Sequence, residues 1–324
     1  MKKLTPPSPS IIFVHKGFPL YFRIALEHAC ITQPNTRIIV LTDNVNYKNQ
    51  ISKKHQPHLE FYPIEEYSKS ASQFEPLYVH MSPNSIDFEL ICFKRWFIIN
   101  EFVKAQNKSN ENSIFDFFCC DSDNLVYSDV CEISKSRLEG KTISITNRIC
   151  PNCTYFTIDS IDFFCSYIME QYSKTENMNR LKLFYKEKVE KKLGGICDMT
   201  MFELLEQDKP GMIHDFGKIQ NGHVFDNQIF SAEGLNVKFK TSHCLKQIKF
   251  KNKIPYGLYF DSDGSKQKVI FDVLHFNAGS KVYMGKFSFV SFNLKLIFTV
   301  KNFSLKRFLR AIIPDFVVKI IKRR

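Results

Sequence analysis

Short apolar runs alternate along the first half of the chain with longer segments whose apolar residues recur at helical spacing. Apolar runs closed by glycine or polar residues are typical of buried parallel strands, and apolar residues three or four positions apart predict helices. The predicted strands cover residues 11–15, 37–43, 59–64, 114–120 and 142–146. The predicted helices cover residues 18–32, 85–105, 158–171, 179–193 and 198–206.

This alternation favours an α/β fold with a Rossmann-like mixed sheet and flanking helices. Residues 223–276 instead carry short β-like runs and turns. With no internal repeat or linker in view, we expect one catalytic domain over residues 1–284 and a C-terminal segment over residues 285–324. Such sheets bind ligands beyond the carboxyl ends of their strands, so candidate chemistry is expected there.

Charge is concentrated at the end of the chain. The 45 basic and 33 acidic residues give a net charge of +12. Residues 303–324 contribute seven basic residues against Asp315, or +6 of that total, with apolar residues between them at helical spacing. These apolar stretches are too short to span a bilayer, so we expect a basic amphipathic helical tail on an anionic membrane surface. A helix docked on the core is the alternative.

We expect a cytoplasmic protein on the inner face of the cell membrane, with reduced cysteines, because no secretory signal pattern is visible. Nucleic acid is not an expected partner. A nucleic-acid-binding face would interleave its charge with exposed aromatic residues, whereas half of the charge excess here lies in an apolar tail.

Asp121-Ser122-Asp123 follows the apolar strand 114–120. Two carboxylates one residue apart at a strand end can face one hard cation, and Mg²⁺ and Mn²⁺ prefer such oxygen ligands. The alternative is that this segment caps the next turn. Asp261-Ser262-Asp263-Gly264 has the same spacing but lies between two β-like runs, which predicts a hairpin turn.

A second candidate segment begins at His275, at the end of another predicted β run. Its imidazole can complete a metal site. The small residues that follow, Gly279 among them, allow backbone N–H groups to approach a phosphate, and Lys281 can hold the phosphate charge.

Together these motifs resemble nucleotide-sugar-dependent glycosyltransferases of the GT-A fold. The order of motifs over residues 11–284 is similar to glycosyltransferase family 8, which includes glycogenin and bacterial lipooligosaccharide galactosyltransferases. The resemblance implies that Asp121, Asp123 and His275 hold Mn²⁺ or Mg²⁺ and that Lys281 binds the diphosphate. The family's glycine in the His-x-x-Gly-x-x-Lys segment falls on Ala278 here, with a glycine at position 279.

The resemblance also assigns residues around the donor and acceptor. Those expected at the nucleoside and donor are Val14, His15, Lys16, Asp43 and Arg95. Asp198 and Asp226 are expected beside the reacting sugar and the acceptor. A solvated helix face is the alternative for Arg95, and a helix N-cap is the alternative for Asp198.

The resulting hypothesis is a metal-dependent glycosyltransferase. It would move a sugar from a nucleotide-diphosphate donor, UDP-linked, to a cell-envelope glycan such as lipopolysaccharide or capsule, on a lipid-linked acceptor. One alternative is a metal-dependent nucleotidyltransferase, although Lys16-Gly17 is a meagre match to its glycine-rich loop. The other is a non-enzymatic, basic nucleic-acid-binding protein.

Overall fold

A computed structural model of the protein describes residues 9–108, 113–192, 194–235, 237–242 and 245–290. Most of the predicted tail, including the basic segment 303–324, lies outside the described residues. Among the helices that are described, none combines the length and the apolar character needed to cross a membrane.

The described residues form sixteen β-strands and eight α-helices. The strands are β1 (Ser10–His15), β2 (Ile38–Thr42), β3 (Leu59–Pro63), β4 (Asp116–Cys120), β5 (Asn124–Val126), β6 (Ile143–Thr146), β7 (Cys150–Thr157), β8 (Ile213–Asp215), β9 (His223–Phe225), β10 (Glu233–Gly234), β11 (Val237–Phe239), β12 (Thr241–Ser242), β13 (Leu245–Lys246), β14 (Lys249–Lys251), β15 (Ile254–Phe260) and β16 (Lys266–His275). The helices are α1 (Leu20–Thr32), α2 (Lys69–Phe74), α3 (Ile86–Lys108), α4 (Val130–Arg137), α5 (Ile158–Ser173), α6 (Thr175–Glu190), α7 (Asp198–Asp208) and α8 (Met284–Phe287).

The main sheet has the strand order β3-β2-β1-β4-β7-β6-β8. The first four strands of that order are mutually parallel, whereas β7 runs antiparallel to both of its neighbours. Alternate strand residues face opposite layers: Ile12 and Phe117 pack towards α3, α5 and α7, and Phe13 and Phe118 pack towards α1 and α4. The predicted α/β fold with a mixed, Rossmann-like sheet is therefore confirmed.

Strand β7 was not among the predicted elements. Its sequence, Cys-Pro-Asn-Cys-Thr-Tyr-Phe-Thr, is half polar, although six of its eight residues are buried. Polar residues can occupy a buried central strand when the fold supplies their hydrogen-bond partners, and such partners are set by tertiary structure. Hydrophobic patterning alone therefore gave no sign of this strand.

A second sheet carries the long strand β16 towards the main sheet. Its order is β10-β11-β15-β16-β5, with β14 added to β15 and β9 parallel to β16. Strand β5 follows directly after the Asp121-Ser122-Asp123 turn, and its Asn124 pairs with His275 at the end of β16. This pairing brings two segments that are about 150 residues apart in sequence to one place.

The second Asp-Ser-Asp segment has the conformation expected of a turn. It connects β15 to β16, which pair as antiparallel neighbours, and Gly264 adopts a φ of +80°. The Gly264 N–H donates to the Asp261 carbonyl at 2.9 Å. The predicted hairpin turn is confirmed.

Candidate active site

The Asp121-Ser122-Asp123 turn is fixed through its backbone. The Asp121 N–H donates to the Asn152 carbonyl at 2.7 Å, and the Asn124 side-chain amide donates to the same carbonyl. The Phe276 N–H donates to the Asp123 carbonyl at 2.9 Å. Strand β7 and the end of β16 therefore set the position of both carboxylates.

Three side chains converge beyond the end of β4. One ligand atom from each of Asp121, Asp123 and His275 lies within 4.8 Å of the others. His275 Nε2 is 3.5 Å from Asp123 Oδ1, and Nδ1 of the same ring contacts the Asn227 carbonyl. Because a carbonyl oxygen only accepts hydrogen bonds, Nδ1 carries a proton, and Nε2 is the ring nitrogen that faces the carboxylates.

Two cations flank the carboxylates. Lys281 Nζ lies 3.1 Å from Asp123 Oδ2 and 4.6 Å from the centroid of the Tyr21 ring. Arg95 pairs with Asp121 through one guanidinium nitrogen and with Asp198 through the other, at 2.6 Å. The Arg95 side chain is only 14% exposed, so it does not belong to a solvated helix face.

The charges of this cluster perturb one another. Burial raises the pKa of Asp121 above its ordinary value; Arg95 opposes that shift and Asp123 adds to it. Burial also disfavours the charged forms of Asp123 and His275. Their mutual hydrogen bond and attraction, together with Lys281, nevertheless lower the pKa of Asp123, and the Asp123 carboxylate raises the pKa of His275.

These residues fit a divalent metal ion. Two carboxylates and an imidazole nitrogen form a donor set that suits Mn²⁺. Mg²⁺ prefers the carboxylate oxygens of this set over the nitrogen. Among the described residues, the carboxylates of Asp121 and Asp123 accept from cationic side chains and do not cap the turn. The two carboxylates thus attract positively charged groups, as the ligands of a metal cation would.

The ends of β1 and β2 lie beside this cluster. His15 pairs in register with Thr42, and Asp43 Oδ1 accepts from the Gly17 N–H at 2.8 Å. Burial lowers the pKa of His15 to about 4, helped by the charge of Lys281, so this ring is neutral at neutral pH. Val14 packs against the core, whereas Lys16 is exposed.

Asp198 is buried on the far side of Arg95. Its Oδ2 accepts from Arg95 and, at 3.2 Å, from Trp96 Nε1. Helix α7 begins at Asp198, and its N-cap residue is Cys197, so Asp198 is not the N-cap. The loop before it is held close to the segment that precedes α3: the Ile196 N–H donates to the Met81 carbonyl at 2.7 Å.

Gly195 is required by the same close approach. A Cβ at this position would lie 2.4 Å from the Met81 carbonyl oxygen, which is backbone and cannot move aside cheaply. The glycine pair that interrupts the helical pattern in the sequence therefore places Asp198 next to Arg95.

Asp226 does not reach the surface. Its carboxylate forms an ion pair with Lys246, and both side chains are almost completely buried. Nothing in the sequence indicated the part that Lys246 and Asn152 play here. Asn227 was expected with Asp226 on the acceptor side, whereas in the structure its carbonyl accepts from His275 Nδ1.

The segment from His275 to Lys281, which the sequence led us to expect at a phosphate, contains a strained residue. Ala278 has a φ of 48°, a left-handed conformation that alanine adopts at a cost of about 1–2 kcal/mol. Gly279, in contrast, lies outside the positive-φ region and would accept a Cβ without contact. The sequence thus places its glycine one position after the residue that needs it.

We expect Ala278→Gly to raise the free energy of unfolding by about 0.5–1 kcal/mol, because relief of strain exceeds the added flexibility of the unfolded chain. Equilibrium unfolding in urea measures this. Gly264→Ala, which places a Cβ on a residue with a φ of +80°, is the matched control and should lower stability. A loss of stability in Ala278→Gly would contradict the strained conformation.

No protein-family model matches the chain, and no curated protein matches it in sequence. Among solved structures, it is similar to mouse xyloside xylosyltransferase 1 in its apo form, with 9% identity over 64% of this chain and 84% of that one, at a TM-score of 0.40. It is also similar to the galactosyltransferase LgtC in complex with donor and acceptor sugar analogs, with 12% identity over 64% and 72% of the two chains, at a TM-score of 0.40.

A third similar structure is the glycosyltransferase GlyE of Streptococcus pneumoniae TIGR4, with 13% identity and a TM-score of 0.35. That alignment covers 64% of this chain and 45% of GlyE. All three proteins are glycosyltransferases. At these TM-scores the similarity is distant, and the geometry of Asp121, Asp123, His275 and their cationic partners is the firmer guide to chemistry.

Proposed function

We propose that the protein is a metal-dependent glycosyltransferase of the GT-A type that uses a nucleotide-diphosphate sugar, UDP-linked, as its donor. The observation that carries this proposal is the convergence of Asp121, Asp123 and His275 within 4.8 Å beyond the end of β4, with Lys281 and Arg95 beside them. Open α/β sheets bind ligands at this edge. The resemblance of the sequence to glycosyltransferase family 8 points the same way.

Asp121, Asp123 and His275 would hold Mn²⁺ or Mg²⁺, which would offset the charge of the donor diphosphate. Lys281 would supply a cation on the same side: its ammonium lies 3.1 Å from Asp123 Oδ2, where it can also reach a phosphate oxygen of the donor. Negative charge grows on the diphosphate as the glycosidic bond breaks, so this lysine stabilises the transition state more than the bound donor.

Arg95 and Asp198 form the sugar side of the proposed site. Arg95 is held between two carboxylates and stacks on Trp96, with 4.5 Å from its guanidinium carbon to the ring centroid. Asp198 Oδ2 accepts from Arg95 and Trp96, and within the described part of the chain Oδ1 has no hydrogen-bond donor, so Oδ1 would accept a hydrogen bond from a sugar hydroxyl. In this proposal Asp198 orients the reacting sugar.

The nucleoside would bind at the ends of β1 and β2, beside neutral His15 and the Asp43 carboxylate. The acceptor that we propose is a cell-envelope glycan on a lipid carrier. This part of the proposal is supported by the basic amphipathic sequence of residues 303–324, which would hold the enzyme on the inner face of the membrane.

A thermal-shift panel tests the proposed function. The purified protein is heated with UDP-, GDP-, CMP- or dTDP-linked sugars, each with Mn²⁺ and with a chelator. A donor that binds the native state raises the melting temperature. We expect one nucleotide class to do so only when Mn²⁺ is present. If no donor gives a metal-dependent shift in folded protein, the proposal is wrong.

A further inference from the structure

A buried ion pair lies behind the proposed metal site. Lys246 is 3% exposed and Asp226 is 1% exposed. The Lys246 ammonium contacts Asp226 Oδ1, donates to the Gln228 carbonyl at 2.8 Å and lies 4.6 Å from the centroid of the Phe239 ring. Buried ion pairs often add no stability over apolar residues of the same volume, because both charges lose their hydration. This pair therefore calls for a role other than stability.

The segment that carries Asp226 contacts His275, the histidine of the proposed metal site. Asp226 Oδ2 accepts from the His275 backbone N–H at 3.3 Å, and the Ile229 N–H donates to the His275 carbonyl at 3.0 Å. The Asn227 carbonyl accepts from His275 Nδ1. Residues 226–229 thus contact both backbone polar groups and one ring nitrogen of His275.

Lys246 holds this segment in place. Its ammonium binds the segment at Asp226 and Gln228, and its backbone N–H donates to the Ile229 carbonyl at 2.8 Å. Asn152 adds a hydrogen bond from its side-chain amide to the Asp226 carbonyl at 3.0 Å. Asn152 is the residue whose own carbonyl receives Asp121 N–H, so one network supports the histidine and the first aspartate.

We propose that the Asp226–Lys246 ion pair positions His275 for metal binding by holding the 226–229 segment against it. Asp226 is then a positioning residue, and not the catalytic residue that the sequence suggested. The inference rests on the proposed metal-dependent function. Residues that orient a metal-binding histidine typically change metal affinity about 10- to 100-fold when they are removed.

The test compares Mn²⁺ affinity in folded protein, measured by isothermal titration calorimetry, with stability measured by urea unfolding. The main variant is the double substitution Asp226→Asn with Lys246→Met, which removes both charges and so leaves neither unpaired. We expect Mn²⁺ affinity to fall about 10- to 100-fold. Lys246→Arg, which keeps the cation, should retain most of the affinity.

The matched control is another buried ion pair, which joins α4 to the second sheet. Arg137 Nη1 lies 2.8 Å from Asp272 Oδ2, three residues before His275 on β16, and neither side chain contacts residues 226–229. We expect Arg137→Met with Asp272→Asn to leave Mn²⁺ affinity unchanged. Equal Mn²⁺ affinities in the Asp226/Lys246 double variant and the wild type would overturn the positioning role.

His275→Ala separates this failure from failure of the proposed function. If His275→Ala weakens Mn²⁺ binding and the double variant does not, only the positioning role is wrong. If the wild type binds no Mn²⁺, both proposals are wrong. Should the double variant not fold, Asp226→Asn alone decides: the amide keeps the side-chain volume but loses the charge, so we expect a loss of Mn²⁺ affinity of about 10-fold.

Discussion

Substitution of Asp123 by alanine should lower sugar transfer at least about 1,000-fold, because a metal ion contributes several kcal/mol to stabilising a departing diphosphate. Asp123 contacts His275 on one oxygen and Lys281 on the other, so its loss removes one proposed metal ligand and leaves His275 and Lys281 without this partner. Initial rates with the donor identified by thermal shift measure the effect. Mn²⁺ affinity should fall in parallel.

Asp263→Ala is the matched control for this substitution. It changes the second aspartate of an Asp-Ser-Asp segment with the same spacing, in the hairpin turn between β15 and β16. Asp263 accepts a local hydrogen bond from the Ser265 N–H at 2.8 Å. We expect transfer by this variant to match the wild type. If both variants lose activity equally, or neither does, the assignment of Asp123 to the metal site is wrong.

Arg95→Met is expected to destabilise the protein by about 3–5 kcal/mol, because removing one partner leaves buried charges without compensation. Asp198 is buried, and Asp121 shares the same guanidinium, so the substitution leaves two carboxylates unpaired. Urea unfolding with a chelator present measures the loss. Transfer should also fall, since Arg95 lies between the metal ligand and the proposed sugar-binding residue.

Lys104→Ala on the same helix provides the comparison. Lys104 pairs with Asp162, but the side chains are 45% and 49% exposed, so the pair is weakened by solvent. Exposed ion pairs contribute about 0–1 kcal/mol to protein stability, so we expect Lys104→Ala to lower the free energy of unfolding by an amount in that range. If Arg95→Met lowers the free energy of unfolding as little as Lys104→Ala does, the two ion pairs of Arg95 with Asp121 and Asp198 do not have the role described above.

Several features were predictable because the responsible residues are close together in sequence. Strands β1 to β4 are marked by their own apolar runs. The hairpin turn at 261–264 is marked by Asp-Gly between two β runs. The Asp121-Ser122-Asp123 turn follows directly from the end of β4, and the general position of ligands at that edge follows from the parallel sheet. Each of these features depends on local patterning.

Other features depended on contacts between distant segments. The sequence indicated His275 and Lys281 through their own segment and through the family resemblance, but the β5–β16 pairing is what brings them to Asp123. Strand β7 has no apolar pattern, and its buried Asn152 is satisfied by Asp121, Asn124 and Asp226, which lie on other segments. No spacing rule connects these partners in advance.

Asp226 shows most clearly the difference between what local sequence predicts and what contacts between distant segments decide. In the sequence it is an aspartate near a predicted site, and an acceptor-side role was a reasonable prediction. The fold places Lys246 against it and buries both, because β13 returns the chain to the 226–229 segment. The sequence by itself determined the sheet and the carboxylate pair, through short-range hydrophobic pattern and turn chemistry. Only the tertiary structure decided which aspartates converge beside His275 and which is neutralised inside, because burial and charge pairing are properties of segments that meet on folding.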